Sequence, residues 1–155
     1  MVLWFTGQPG SGKTTLTNRF IDDKLVGFMK IHPHRIVHID GDDLREAVDN
    51  KDYSEKGRRK NIQFAIDMAK VMDDKGYLVL VSLVSPYRDM REKLKSNRNI
   101  TEFYLHTTDI RGKEDYFVED YEPPLHNFTD IDTNKPIEEC INEILDVYRQ
   151  MATVA

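Results

Sequence analysis

The chain has 155 residues, with 22 Lys and Arg against 27 Asp and Glu, a formal net charge of −5. That length buries a core without metals or disulfides, and the acidic balance argues against nucleic acid as the main partner, although a local basic pocket is compatible with it. The lone cysteine, Cys140, excludes an internal disulfide; with no basic leader and no apolar run of membrane-spanning length, the chain reads as cytoplasmic and not membrane-bound.

Residues 2–6 form a short apolar run that reads as a buried strand. A glycine loop follows, then a helix over 14–21. "RIVHI", residues 35–39, is a second strand that runs into Asp40-Gly41-Asp42. Asp42 or Asp43 can cap the next helix, with Asp43 favoured, and Leu44, Ala47 and Val48 share one face. Residues 54–74 carry the clearest helical pattern, with Ser54 as N-cap and Gly76 as the stop. "YLVLVSLV", residues 77–84, is apolar enough for a strand covered on both faces. A helix over 87–95, a strand over 100–107, a polar loop over 108–127, a short strand over 128–131 and a helix over 136–151 complete the order. Cys140 falls in the apolar stripe of that last helix with Ile137, Ile141, Ile144 and Leu145, and reads as a core residue. Strands alternating with helices predict an α/β domain spanning 1–155: three layers, α/β/α, around a five-stranded parallel sheet.

The loop "GQPGSGKT", residues 7–14, matches G-x-x-x-x-G-K-[ST] in full. Its glycines let backbone N–H groups turn inward onto phosphate oxygens, Lys13 adds a point charge at the β and γ phosphates, and Thr14 offers a hydroxyl to Mg²⁺. The motif follows a strand and opens a helix, as that mechanism requires, so the fold is that of the P-loop NTPases. Gly7, Gln8, Pro9, Gly10, Ser11, Gly12, Lys13, Thr14 and Thr15 are the expected nucleotide-binding residues, with ATP and Mg²⁺ as ligands.

A GTPase needs Asn-Lys-x-Asp to read guanine, and Asn134-Lys135-Pro136-Ile137 lacks the aspartate. Asp109-Ile110-Arg111-Gly112 mimics a second GTPase element but sits too far along the chain. A motor-type ATPase ends a core strand in an acid, whereas the central strand here ends Ser82-Leu83-Val84-Ser85. The acids follow the second strand instead, in "HIDGDDLR", residues 38–45, at the strand end where parallel sheets place ligands. Asp40 reads as the metal-side acid and Asp42 as the base that accepts the proton of a substrate hydroxyl. Arg45 lies three residues beyond Asp42 and so shares its helix face. "KGRRK", residues 56–60, supplies further cations, of which at least two are expected to face solvent.

"GQPGSGKTT", "IDGDDLR", "YSEKGRRKNI" and "VSLVSPYR" occur in the order, and near the spacing, of the adenylyl-sulfate kinases, and the chain resembles that family over roughly its first 95 residues. The resemblance implies transfer of the γ-phosphate of ATP to the 3′-hydroxyl of adenylyl sulfate, the small-molecule substrate, and a dimer as the usual state. It implies that Asp40 and Asp42 are the acid pair, that Arg45, Arg58 and Asn61 hold adenylyl sulfate, and that Tyr53 stands where a phenylalanine stacks on its adenine. Ser85 matches a serine assigned as a phosphoserine intermediate; transfer by positioning needs no covalent step, and a hydrogen bond from Ser85 to phosphate or sulfate is the alternative, beside a plain turn residue before Pro86.

The second half departs from the family. The long basic lid that follows the fourth strand there is replaced by "TDIRGKEDYFVEDYEPP", residues 108–124, shorter and mostly acidic. "NFTDID", residues 127–132, resembles the family's lid string "NFTGID", but "DYEPP" precedes it instead of following, so "FTDIDT" reads as the last strand and its end. Arg111 and Lys113 are the candidate lid cations and Tyr116 or Phe117 the candidate second aromatic. The leading expectation is an adenylyl-sulfate kinase. A related kinase for another hydroxyl (a nucleoside, a sugar or a polynucleotide end) and a non-catalytic nucleotide-binding module are the alternatives.

Overall fold

The computed structural model describes residues 1–109 and 116–154. Five strands, β1 (Val2–Thr6), β2 (Ile36–Asp40), β3 (Leu78–Ser82), β4 (Ile100–His106) and β5 (Thr129–Asp132), form one sheet in the order β2-β3-β1-β4-β5. Every neighbouring pair is parallel, so all five carboxyl ends share one rim. The helices are α1 (Lys13–Arg19), α2 (Gly41–Ala47), α3 (Glu55–Asp74), α4 (Arg88–Asn97) and α5 (Ile137–Val154). The central strand β1 is buried at every position. Its side chains alternate between two cores, as strand period two demands. Leu3 and Phe5 join Leu16, Phe20, Phe103, Ile141 and Ile144 under α1 and α5, while Val2 and Trp4 join Ile62, Ala65, Val81 and Leu94 under α3 and α4. This is the expected three-layer α/β/α arrangement. Cys140 is buried in the first core, as the stripe predicts. No helix among the described residues is long and apolar enough to cross a membrane.

Most boundaries fall within three residues of the sequence reading, and the departures have physical causes. The helix expected over 14–21 does not stop there. It continues from α1 as a π-helical stretch, Phe20–Phe28, in which the Met29 N–H reaches back five residues to the Lys24 carbonyl. In that wider turn residues five apart share a face, which turns both Phe20 and Leu25 into the core. Neither Asp42 nor Asp43 caps α2. The helix begins at Gly41 with Asp40 in the cap position, and the Asp40 side chain bonds elsewhere, so Asp43 is simply an exposed acid in the first turn. Ser54 does cap α3, accepting from the Gly57 N–H at 3.4 Å. Gly76 ends that helix at φ +90°, a backbone value that L side chains rarely adopt.

A buried ion pair ties the rim of the second core together. Arg91 on α4 and Glu102 on β4 are each 1% exposed, with Arg91 Nε donating to Glu102 Oε2 at 2.8 Å. Lys95 Nζ reaches the other carboxylate oxygen at 2.6 Å. The remaining guanidinium nitrogens donate to the Ser85 carbonyl at 2.5 Å and to the Glu122 carbonyl. Each guanidinium nitrogen and each carboxylate oxygen thereby has a partner, the condition under which a buried pair is tolerated. Arg91→Met strands two carbonyls and leaves Glu102 with Lys95 alone. It is expected to cost about 3–5 kcal/mol in urea denaturation, and Arg91→Met with Glu102→Met is expected to recover part of that loss.

Candidate active site

The phosphate loop leaves the end of β1 and turns through Gly10 (φ 80°) and Gly12 (φ 95°). Gly12 occupies the cap position of α1 without any side-chain cap, so the first amides of the helix are left for an anion. Lys13 folds back over the loop. Its ammonium donates to the carbonyls of Gly7 (2.9 Å) and Gln8 (2.8 Å) and lies 3.4 Å from Ser11 Oγ. Burial pushes its pKa down to about 8, against the opposing pull of the Asp40 and Asp42 charges.

The acid pair stands beside it. Thr14 Oγ1 lies 3.2 Å from both oxygens of Asp40. Ser82 Oγ, at the end of β3, reaches Asp40 Oδ1 at 3.5 Å and pairs with His38 Nε2 at 2.7 Å. Burial raises the Asp40 carboxyl above its usual range, and the neighbouring Asp42 charge adds to the rise. Burial likewise lowers His38. Asp42 projects from the first turn of α2 into the same cleft as Lys13, about 630 Å³ in volume. Asp43 is not in its wall.

The same cleft is lined by Arg45, Tyr53, Arg58 and Asn61. Arg45 is fixed by the carbonyls of Asn50 and Asp52, both at 3.1 Å, and lies 4.2 Å from the centroid of the Tyr53 ring. The loop carrying Tyr53 presses against α3 at Gly57, where an added Cβ would sit 2.2 Å from the Asp52 carbonyl oxygen. Only glycine allows that approach. Asn61 is buried, and its Oδ1 finds no partner among the described residues. Of the "KGRRK" cations, Arg58 lines the cleft. Arg59 turns away to Glu55, Asp89 and the Tyr87 ring, and Lys56 and Lys60 are exposed. Two of the four cations therefore face solvent, as expected.

Ser85 lines the cleft but is 1% exposed, and its hydroxyl is already engaged. It accepts from Trp4 Nε1 at 3.0 Å and lies within reach of Thr6 Oγ1 (3.0 Å) and the Leu83 carbonyl (3.1 Å). Its backbone is left-handed, φ 38°, where a non-glycine residue is strained. A hydroxyl so held is a poor nucleophile and a poor free donor; the geometry makes Ser85 a fixed corner of the wall. Tyr116 and Phe117 also line the cleft, whereas Arg111 and Lys113 lie outside the described residues. Sequence reasoning missed Ser82, His38 and Val118. The first two lie inside the strings "VSLVSPYR" and "HIDGDDLR", but their pairing spans 44 residues, and Val118 meets the phosphate loop through a contact 110 residues apart in the chain.

Burial holds the Lys13 pKa down to about 8, and a bound triphosphate favours the ammonium form and so raises it. Nucleotide binding near pH 9 is therefore expected to take up a proton, and affinity to fall as pH rises through 8. Titration calorimetry in two buffers of different ionisation heat measures the uptake, which should vanish in Lys13→Met.

Comparison with known proteins gives the family of the chain. The family model described as adenylylsulphate kinase matches residues 1–134, well past the part in which the sequence motifs lie. An adenylyl-sulfate kinase of Oceanobacillus iheyensis is 30% identical over 167 aligned positions, covering 93% of this chain and 81% of that protein. The bifunctional enzyme NodQ of Rhizobium meliloti is 38% identical over 104, covering 66% of this chain but 15% of that much longer protein. The structure of the Mycobacterium tuberculosis APS kinase CysC in complex with AMPPNP and APS superposes with a TM-score of 0.77 over 96% of both chains at 21% identity, a likeness of fold. With more than half its length matched by the family model, the chain belongs to the adenylylsulphate kinase family.

Proposed function

We propose that this protein transfers the γ-phosphate of ATP to the 3′-hydroxyl of adenylyl sulfate, giving ADP and 3′-phosphoadenylyl sulfate. The observation that carries the reading is a single cleft whose wall contains the phosphate loop, both aspartates and the Arg45–Tyr53–Arg58–Asn61 group. The loop amides and Lys13 hold the β and γ phosphates. Thr14 Oγ1 and the Asp40 carboxylate are adjacent hard oxygen donors, which suit Mg²⁺ completed by water and phosphate oxygens. When bound, that ion neutralises charge on the phosphate oxygens. Asp42 accepts the proton of the 3′-hydroxyl as its oxygen bonds to the γ-phosphorus and the bond to the β-phosphate oxygen breaks. Arg45 and Arg58 face the anionic end of the acceptor, the Tyr53 ring stacks on its base, and the unpartnered Asn61 Oδ1 accepts from an N–H or O–H of the ligand. Ser85 acts by position, holding the wall through Trp4 and Thr6.

The same proposal covers the whole chain as one kinase domain, a homodimer and a cytoplasmic setting, the last on the lone buried thiol. The test is incubation with MgATP and adenylyl sulfate, with the nucleotide product identified and the assembly state measured by light scattering. Asp42→Asn is expected to keep ATP binding and lower kcat about 10²–10⁴-fold, and Lys13→Ala to abolish transfer. Near-normal turnover in Asp42→Asn removes the base assignment. A marked preference for a nucleoside, sugar or polynucleotide hydroxyl replaces the acceptor, and tight ATP binding without turnover on any of them leaves a nucleotide-binding module.

A further inference from the structure

Gln8 is a phosphate-loop residue whose side chain points out of the loop. Its carboxamide closes a two-bond ring with the backbone of Val118: Nε2 donates to the Val118 carbonyl at 2.7 Å, and the Val118 N–H donates to Oε1 at 2.9 Å. Both polar ends of the side chain are satisfied by one residue, which fixes the position of Val118 as a backbone pairing would. Val118 is buried and belongs to the cleft wall, and the two residues before it, Tyr116 and Phe117, line the cleft.

Beyond Val118 the chain is bound to the sheet rim. Tyr121 Oη meets Thr6 Oγ1 at 2.6 Å, and the Glu122 N–H donates to the Pro86 carbonyl at 2.9 Å. Among the described residues, Gln8 joins this stretch to the phosphate loop itself. The backbone of Gln8 faces the other way: its carbonyl accepts from Lys13 Nζ at 2.8 Å and from the Ser11 N–H at 3.1 Å. A bound triphosphate competes for the Lys13 ammonium, so the residue that senses occupancy of the loop is also the one that grips the aromatic wall.

We propose that Gln8 is a positioning residue that couples the phosphate loop to the Phe117 side of the cleft, so that nucleotide binding sets the wall against which the acceptor is held. The coupling needs only the backbone geometry of the loop and the reach of a glutamine side chain; Ala and Glu both leave the loop's own amides in place. The inference rests on the proposed kinase reaction for its kinetic arm and on the clamp alone for its exchange arm.

Steady-state kinetics with MgATP and adenylyl sulfate is the first arm. Losing two hydrogen bonds, Gln8→Ala is expected to raise KM for adenylyl sulfate about tenfold, with KM for ATP changed less than about twofold. Gln8→Glu keeps the acceptor for the Val118 N–H and loses the donor to its carbonyl, and is expected to fall between Gln8→Ala and the parent. The second arm is amide hydrogen exchange of the peptide spanning 116–121, with and without a non-hydrolysable ATP analogue. In the parent protein the analogue is expected to slow exchange, and in Gln8→Ala exchange is expected to be about tenfold faster and indifferent to nucleotide. A rise in KM for ATP with KM for adenylyl sulfate unchanged, or exchange over 116–121 that Gln8→Ala does not alter, overturns the proposal. If the parent does not phosphorylate adenylyl sulfate, the reaction assigned above falls, and the exchange arm still decides the clamp.

Discussion

The Arg91 guanidinium sits where four pieces of the chain meet, and the far wall of the cleft depends on it. One side chain from α4 holds the Glu102 carboxylate of β4, the carbonyl of Ser85 in the turn after β3, and the carbonyl of Glu122 in the segment crossing the rim. The Tyr121 ring lies 5.6 Å from the same guanidinium. Taking such an ion from water is costly, and the cost is offset only when every donor finds a partner. That requirement makes the arrangement cooperative: the turn, the strand and the crossing segment are fixed together.

The strain at Ser85 is a consequence. A serine at φ 38° persists only where its surroundings over-determine it. Here Arg91 fixes its carbonyl while Trp4 and Thr6 fix its hydroxyl. Thr6 is itself the hub of the rim, reaching the Val84 carbonyl and Tyr121 from the last position of β1. Burial keeps the Tyr121 hydroxyl protonated and so available as a donor. The described residues Val118, Tyr121 and Glu122 are thus tied to the phosphate loop and the sheet rim.

Electrostatics around Lys13 and Asp40 oppose one another. Burial weakens the charge on Lys13 and on Asp40 alike; the Asp40 and Asp42 charges partly restore it on Lys13, and His38 and the Thr14 hydroxyl partly restore it on Asp40. Neighbouring groups whose ionisation burial and charge push in opposite directions mark a binding site more often than a structural ion pair.

Local patterns carried a large part of this protein. The G-x-x-x-x-G-K-[ST] match, the acids after the second strand and the βα alternation depend on neighbours within a few residues, and the sequence by itself determined the layer order and the family and singled out the glycine loop and the acids after β2 as the candidate site. Period two in β1 and the cap at Ser54 belong to the same kind of signal. The tertiary structure alone decided what depends on contacts between distant residues. It turned Ser85 from a candidate donor into an anchored corner, sorted Arg58 from Arg59, moved the start of α2 to Gly41, and joined Gln8 to Val118. Each of those outcomes is fixed by a partner tens of residues away or by the space left between packed elements, and a window of sequence contains neither.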